Sequence, residues 1–170
     1  MAEALRIEVP GAGEVAGLLA REPGARALLV LGHGAGAGMR HAFMEALTGT
    51  LGARGIATLR YQFPYMERAG GRGMRGPDPT PVLLETVRAA VGAAARAGGT
   101  LPLIAGGKSM GGRMTSMAAA QEPLAPVRGI AFFGFPLHPA GRPSARRGDH
   151  LDQVRVPMLF LQGTRDALAE

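Results

Sequence analysis

Residues 101–121 read LPLIAGGKSMGGRMTSMAAAQ. An apolar run of Leu101, Leu103 and Ile104 suits a buried parallel strand, a glycine-rich corner follows it, and alanines and methionines then recur at helical spacing. Met110, Met114 and Met117 fall at i, i+4 and i+7, the pattern of a face packed into a core. At the corner, Gly107-Lys108-Ser109-Met110-Gly111 fits G-x-S-x-G, a serine held on a sharp strand-to-helix turn. Glycines on both sides meet a steric need, because such a turn leaves no room for neighbouring side chains. The serine hydroxyl then stands at a helix N-terminus, where amides and dipole favour developing negative charge. A phosphate-binding G-x-x-x-x-G-K-[ST] loop fails on spacing, since Pro102 stands where its first glycine is needed. A plain structural turn with an incidental serine is the bland alternative.

The chain of 170 residues is long enough for one domain with a real core. With 46% hydrophobic and 19% charged residues it reads as soluble and globular. It has no cysteine, which excludes disulfides, thiolate chemistry and cysteine-based metal sites. The start, MAEALRIEVP, lacks the basic flank and apolar core of a signal peptide, and no run approaches a membrane span, so a cytoplasmic protein is expected. Net charge is +6. Lys108 is the only lysine and the arginines are scattered, only Arg142, Arg146 and Arg147 coming close to a cluster. Aromatic residues, at 5%, are too few to interleave with them as stacking platforms, which argues against nucleic acid as a partner.

Working outward, Arg6 to Val9 and Glu14 to Ala20 read as a hairpin about Pro10-Gly11-Ala12-Gly13. Ala27 to Leu31 is a strand buried on both faces, followed by the glycine-rich stretch Gly32 to Gly38. Ala42 to Arg54 is an amphipathic helix, Ile56 to Tyr61 a strand, and Phe63 to Pro79 a long loop. Thr80 is a helix cap with Pro81 in the first turn, and Gly98-Gly99 ends that helix. Beyond the opening stretch come the strand Gly129 to Phe133, a polar basic loop from Arg142 to Asp149, and the strand Val156 to Leu161. Strands alternating with helices demand right-handed crossovers and a mainly parallel sheet.

Active loops of such sheets lie beyond the carboxyl ends of the strands, which gathers His33 to Gly38, Phe63 to Pro79, Ser109, His138 and Asp166 along one edge. A serine nucleophile needs a base and donors for an oxyanion. The Met110 amide and an amide from His33-Gly34-Ala35 are the candidate donors. A rival reading takes Gly32, Gly34 and Ala37 as a G-x-G-x-x-[GA] dinucleotide fingerprint, with Arg60 meeting the phosphate of NADP.

The segments HGAGAGM, RYQFPYMERAG, GGKSMGGRM, FFGFPLHP and LFLQGTRD together resemble the α/β-hydrolase superfamily over essentially the whole chain. They look like its small lidless branch, which contains testis-expressed hydrolase-like proteins and the related subunit of a histone acetyltransferase complex, with dienelactone hydrolases as more distant kin. The resemblance implies a three-layer α/β fold with an antiparallel N-terminal hairpin and no cofactor. It implies Ser109 as nucleophile, Asp166 as triad acid, and Met110, Gly34 and Ala35 at the oxyanion, with His33, Lys108, His138 and Tyr65 as candidates to line the site.

One departure stands out. The triad of this fold runs Ser, Asp, His in chain order, yet no histidine follows Asp166. The expected reading is a single domain over 1–170 that stops after the acid turn, short of a final strand and helix. The chain is then a serine hydrolase of small ester, thioester or amide substrates when complete, or a non-catalytic module that offers Arg142, Arg146 and Arg147 to a protein partner. Of the four histidines, His138 is the best substitute base by its place at the sheet edge. His33 is more simply read as bonding its own loop, His41 as facing solvent, and His150 has no clear role. None has metal-binding spacing.

Overall fold

The computed structural model describes residues 2–70 and 76–169. Seven strands form one sheet in the order β1-β2-β4-β3-β5-β6-β7. β1 (Ala2–Val9) and β2 (Gly13–Ala20) form an antiparallel hairpin whose inner strand pairs antiparallel with β4 (Ile56–Tyr61). β3 (Ala27–Gly32), β5 (Leu103–Lys108), β6 (Val127–Phe133) and β7 (Met158–Leu161) complete the sheet with parallel pairings. This is a three-layer α/β arrangement, mainly parallel, with the expected antiparallel start.

Alternation along each strand divides the core between the two faces, as a period of two requires. Leu28, Val30, Leu103, Ala105, Ile130 and Phe132 point into the larger cluster. There α3 (Thr80–Gly98) and α4 (Met110–Gln121) cover the sheet. Leu29, Leu31 and Ala131 point the other way, to Met44 of α1 (Ala42–Gly52). Beside α1, whose Leu51 borders it, Leu29, Ile104, Ile130, Met158, Leu159 and Leu161 line an apolar trough of about 430 Å³. Leu159, Phe160 and Leu161 are exposed, and β7 is the sheet's outer strand.

Several boundaries differ from expectation. β1 begins at Ala2, four residues before Arg6; Ala2, Glu3 and Ala4 are all exposed on the sheet's edge and carry little apolar signal. The loop from Phe63 contains a short helix, α2 (Pro64–Arg68), opened by a proline whose missing amide costs nothing at a helix start. Residues 71–75 of that loop lie outside the described residues. Thr80 is the first residue of α3 and not its cap; Pro79 takes the cap position and no side chain bonds there. The basic loop holds a short 3-10 turn at Arg146–Gly148, and a second follows it at Leu151–Gln153. Among the described residues no helix is long and apolar enough to cross a membrane.

Candidate active site

β5 runs through the glycines of the corner to Lys108, and Ser109 follows as the residue before α4. Ser109 has φ 49° and ψ −112°, the only non-glycine residue with positive φ among those described. Such a conformation costs of order 1–3 kcal/mol and persists only where the surroundings over-determine it. Here they do. A Cβ on Gly107 would stand 2.5 Å from the Gly32 oxygen and 2.7 Å from the Gly111 carbonyl carbon. A Cβ on Gly106 would overlap the Ala131 carbonyl, and one on Gly111 would overlap that of Gly32. Bare backbones of β3, β5, β6 and α4 thus close on one another, and the Ser109 amide is tied to the Phe133 oxygen at 3.2 Å. At the first position of α4, Met110 has an amide with no acceptor inside its own helix.

Opposite the serine lies the loop after β3. Gly34 approaches so closely that a Cβ there would be 3.9 Å from the Ser109 Cβ. His33 is buried; its Nδ1–H donates to the Gly34 oxygen at 2.7 Å, and its Nε2 accepts the Phe63 amide at 3.1 Å. These two bonds set the tautomer. Burial lowers the ring's pKa to about 4, against the backbone bond to Gly34, which raises it. The Tyr65 hydroxyl, also buried, donates to the Ala35 oxygen at 2.9 Å and reaches the Gly34 oxygen at 3.4 Å. Burial, aided by the Asp78 carboxylate, pushes that phenol up to about 12, so it remains a donor. Asp78 accepts the Tyr65 amide at 2.7 Å and pairs with Arg68.

Because C=O and N–H of a trans peptide point in opposite directions, drawing the Gly34 and Ala35 oxygens inward turns the Ala35 and Gly36 amides outward. A cleft of about 300 Å³ opens there, lined by Gly34 to Ala37, His41, Phe43, Met44, Lys108 and Ser109.

Three residues expected to line the site do not. His33 and Tyr65 are buried behind the loop and act on it through its carbonyls. His138 is buried as well, its Nδ1–H donating to the Pro139 oxygen at 2.9 Å and its Nε2 without a partner. Among the described residues no hydrogen bond joins His138 to Ser109, so the substitute-base role has no geometry behind it. His150 contacts the buried Ser116 at 2.7 Å. His41 is the histidine that shares the cleft with Ser109; its Nδ1 caps α1 by accepting the Phe43 amide at 3.2 Å. The sequence reading missed Phe43 and His41 as lining, although their place just after the glycine-rich stretch was the available signal.

Asp166 lies at the same edge. Its Oδ2 accepts from Gln162 at 2.6 Å and its Oδ1 from the Leu168 amide at 3.0 Å. Gln162 in turn accepts the Phe135 amide at 2.8 Å, which ties the acid turn to the end of β6. A Cβ on Gly134 would stand 3.4 Å from Asp166 Oδ2 and 3.9 Å from Lys108 Nζ. Arg60, the residue a dinucleotide reading needs, is buried, with Nη1 on the Met39 oxygen at 3.0 Å and on Glu45 at 2.7 Å. Its Nε has no partner but is buried with the rest of the side chain, out of reach of a ribose phosphate, and the helix after the loop begins only at Ala42. Among the described residues no group of three or more His, Asp or Glu side chains could hold a metal ion.

A family model described as an alpha/beta hydrolase domain matches residues 25–170. The chain belongs to that family. No curated protein matches it. Among solved structures, dienelactone hydrolase from Anabaena variabilis is 19% identical with TM-score 0.71, over 100% of this chain and 89% of that one. An alpha-beta serine hydrolase homologue from Coxiella burnetii is 18% identical with TM-score 0.71, over 95% and 73%. A serine hydrolase without lid from Xanthomonas campestris is 20% identical with TM-score 0.67, over 95% and 71%. At these identities the likeness is one of fold, and it is the shared alpha/beta hydrolase fold that puts the β3 loop, the serine turn and the acid turn on one edge.

Proposed function

We propose that the protein is a serine hydrolase acting on small ester, thioester or amide bonds through an acyl-enzyme on Ser109. The observation that carries this reading is the strained positive-φ serine opening on a cleft toward which the β3 loop turns its amides. The attacked carbonyl oxygen would meet the Met110 amide on one side and that of Ala35, beside Gly34, on the other. Asp166 would be the acid that orients a histidine. Among the described residues no histidine bonds to Ser109. Without a base the serine keeps an alcohol's reactivity, leaving the roughly 10³–10⁴-fold acceleration that oxyanion donors and binding supply.

A fluorophosphonate probe tests this. Slow labelling of Ser109 that disappears in Ser109→Ala and on unfolding is expected. Absence of labelling even after long exposure would overturn it and favour the second reading, an interaction module presenting Arg142, Arg146 and Arg147. Those arginines form no ion pair among the described residues, which is the observation on that side.

A further inference from the structure

We propose that the cleft beside Ser109 selects small esters that carry a carboxylate, and that Lys108 is the residue that recognises it; the position of the scissile bond rests on the serine-hydrolase reading above. Lys108 is half-buried, lines the cleft next to Ser109, and holds its ammonium 5.5 Å from the centre of the Phe43 ring. It forms no ion pair among the described residues. A partly desolvated cation stacked on a ring, with no carboxylate against it, is poised for an anionic partner.

The rest of the lining points the same way. No acidic side chain lines the cleft. His41 accepts the Phe43 amide at Nδ1, so the neutral ring carries its proton on Nε2 and offers a donor at the rim. The outward Ala35 and Gly36 amides and the N-termini of α1 and α4 add positive potential. Asp166 also approaches Gly134, but its carboxylate accepts from Gln162 and the Leu168 amide and forms no ion pair with Lys108. At about 300 Å³ the cleft suits a molecule of succinate-ester size.

The test measures binding in the Ser109→Ala background, where turnover cannot intervene. Monomethyl succinate, an anionic half-ester, and dimethyl succinate, its neutral counterpart, are titrated by NMR. The half-ester is expected to bind about tenfold more tightly, as one charge-assisted hydrogen bond implies. Lys108→Met should erase that preference without weakening the diester, Lys108→Arg should retain most of it, and salt should reduce it. Equal binding of the two esters, no measurable binding of the half-ester, a preference that survives Lys108→Met, or equal loss for both esters would each overturn the proposal. Fluorophosphonate labelling of the unmodified serine, measured separately, reports on the hydrolase reading alone.

Discussion

At the scale of single residues, the centre of the molecule is a conflict between Ser109 and its backbone. Glycine adopts φ 49° freely and serine does not. Ser109→Gly should therefore raise stability by a net ~1 kcal/mol, a Tm increase of about 2–4 °C for a chain of this size, while Ser109→Ala, which keeps a Cβ, should not. Calorimetry on the two variants checks this; a Ser109→Gly protein melting at or below the parent would show that the turn stores no strain. That corner was readable in advance because its steric demand appears directly as glycines, at Gly106, Gly107, Gly111 and Gly112. The bond of His33 to its own loop was readable too, and the Nδ1 contact with the Gly34 oxygen bears it out; the place of His33 and Tyr65 behind that loop was not. Spacing along the chain places both near the edge, and only packing shows them behind the loop rather than in front of it.

At the scale of elements, the β3 loop is held by α2 and the residue before it. Phe63 supplies an amide to His33 Nε2, and Tyr65 supplies its hydroxyl to the loop carbonyls. This small helix escaped sequence reading because five residues opened by a proline carry no period. The arrangement requires neutral His33, and the sign of its effect follows from linkage. Its pKa is about 4 when folded against 6.5 for the free ring, so between those values the unfolded chain binds more protons. The stabilisation is complete above pH 6.5, falls as the pH drops toward 4, and totals roughly 3 kcal/mol. His150, also lowered by burial and by Arg113, acts with the same sign. Urea unfolding between pH 7 and pH 5 should show the loss before most carboxylates titrate. In His33→Asn, whose side-chain amide can still donate to the Gly34 oxygen, the slope should be reduced; an unchanged slope would exclude His33 as its source.

At the scale of the whole molecule, the two rims of the sheet differ in character. The β1 rim carries Glu3, Arg6 and Glu8, whereas β7 exposes Leu159, Phe160 and Leu161 beside an apolar trough. An outer strand of this kind is a template for pairing. The 170-residue chain is expected to associate as its concentration rises, and Leu159→Lys with Leu161→Lys should suppress this in sedimentation velocity with stability changed by no more than about 0.5 kcal/mol. Phe160, stacked on Phe132 at 4.4 Å between ring centres, is left in place. Association unaffected by the two lysines would locate the contact elsewhere. The strand order carries one more implication. β3 and β5 are neighbours although α1, β4, α2 and α3 are synthesised between them, and the ladder from Leu28–Leu103 to Gly32–Gly107 is what brings Gly32 to the corner. Ribosome-bound chains that end before β5 therefore hold the amides without the hydroxyl. A protease nick anywhere between these strands would divide the two between separate fragments, and only reassembly along that one ladder would bring them together again.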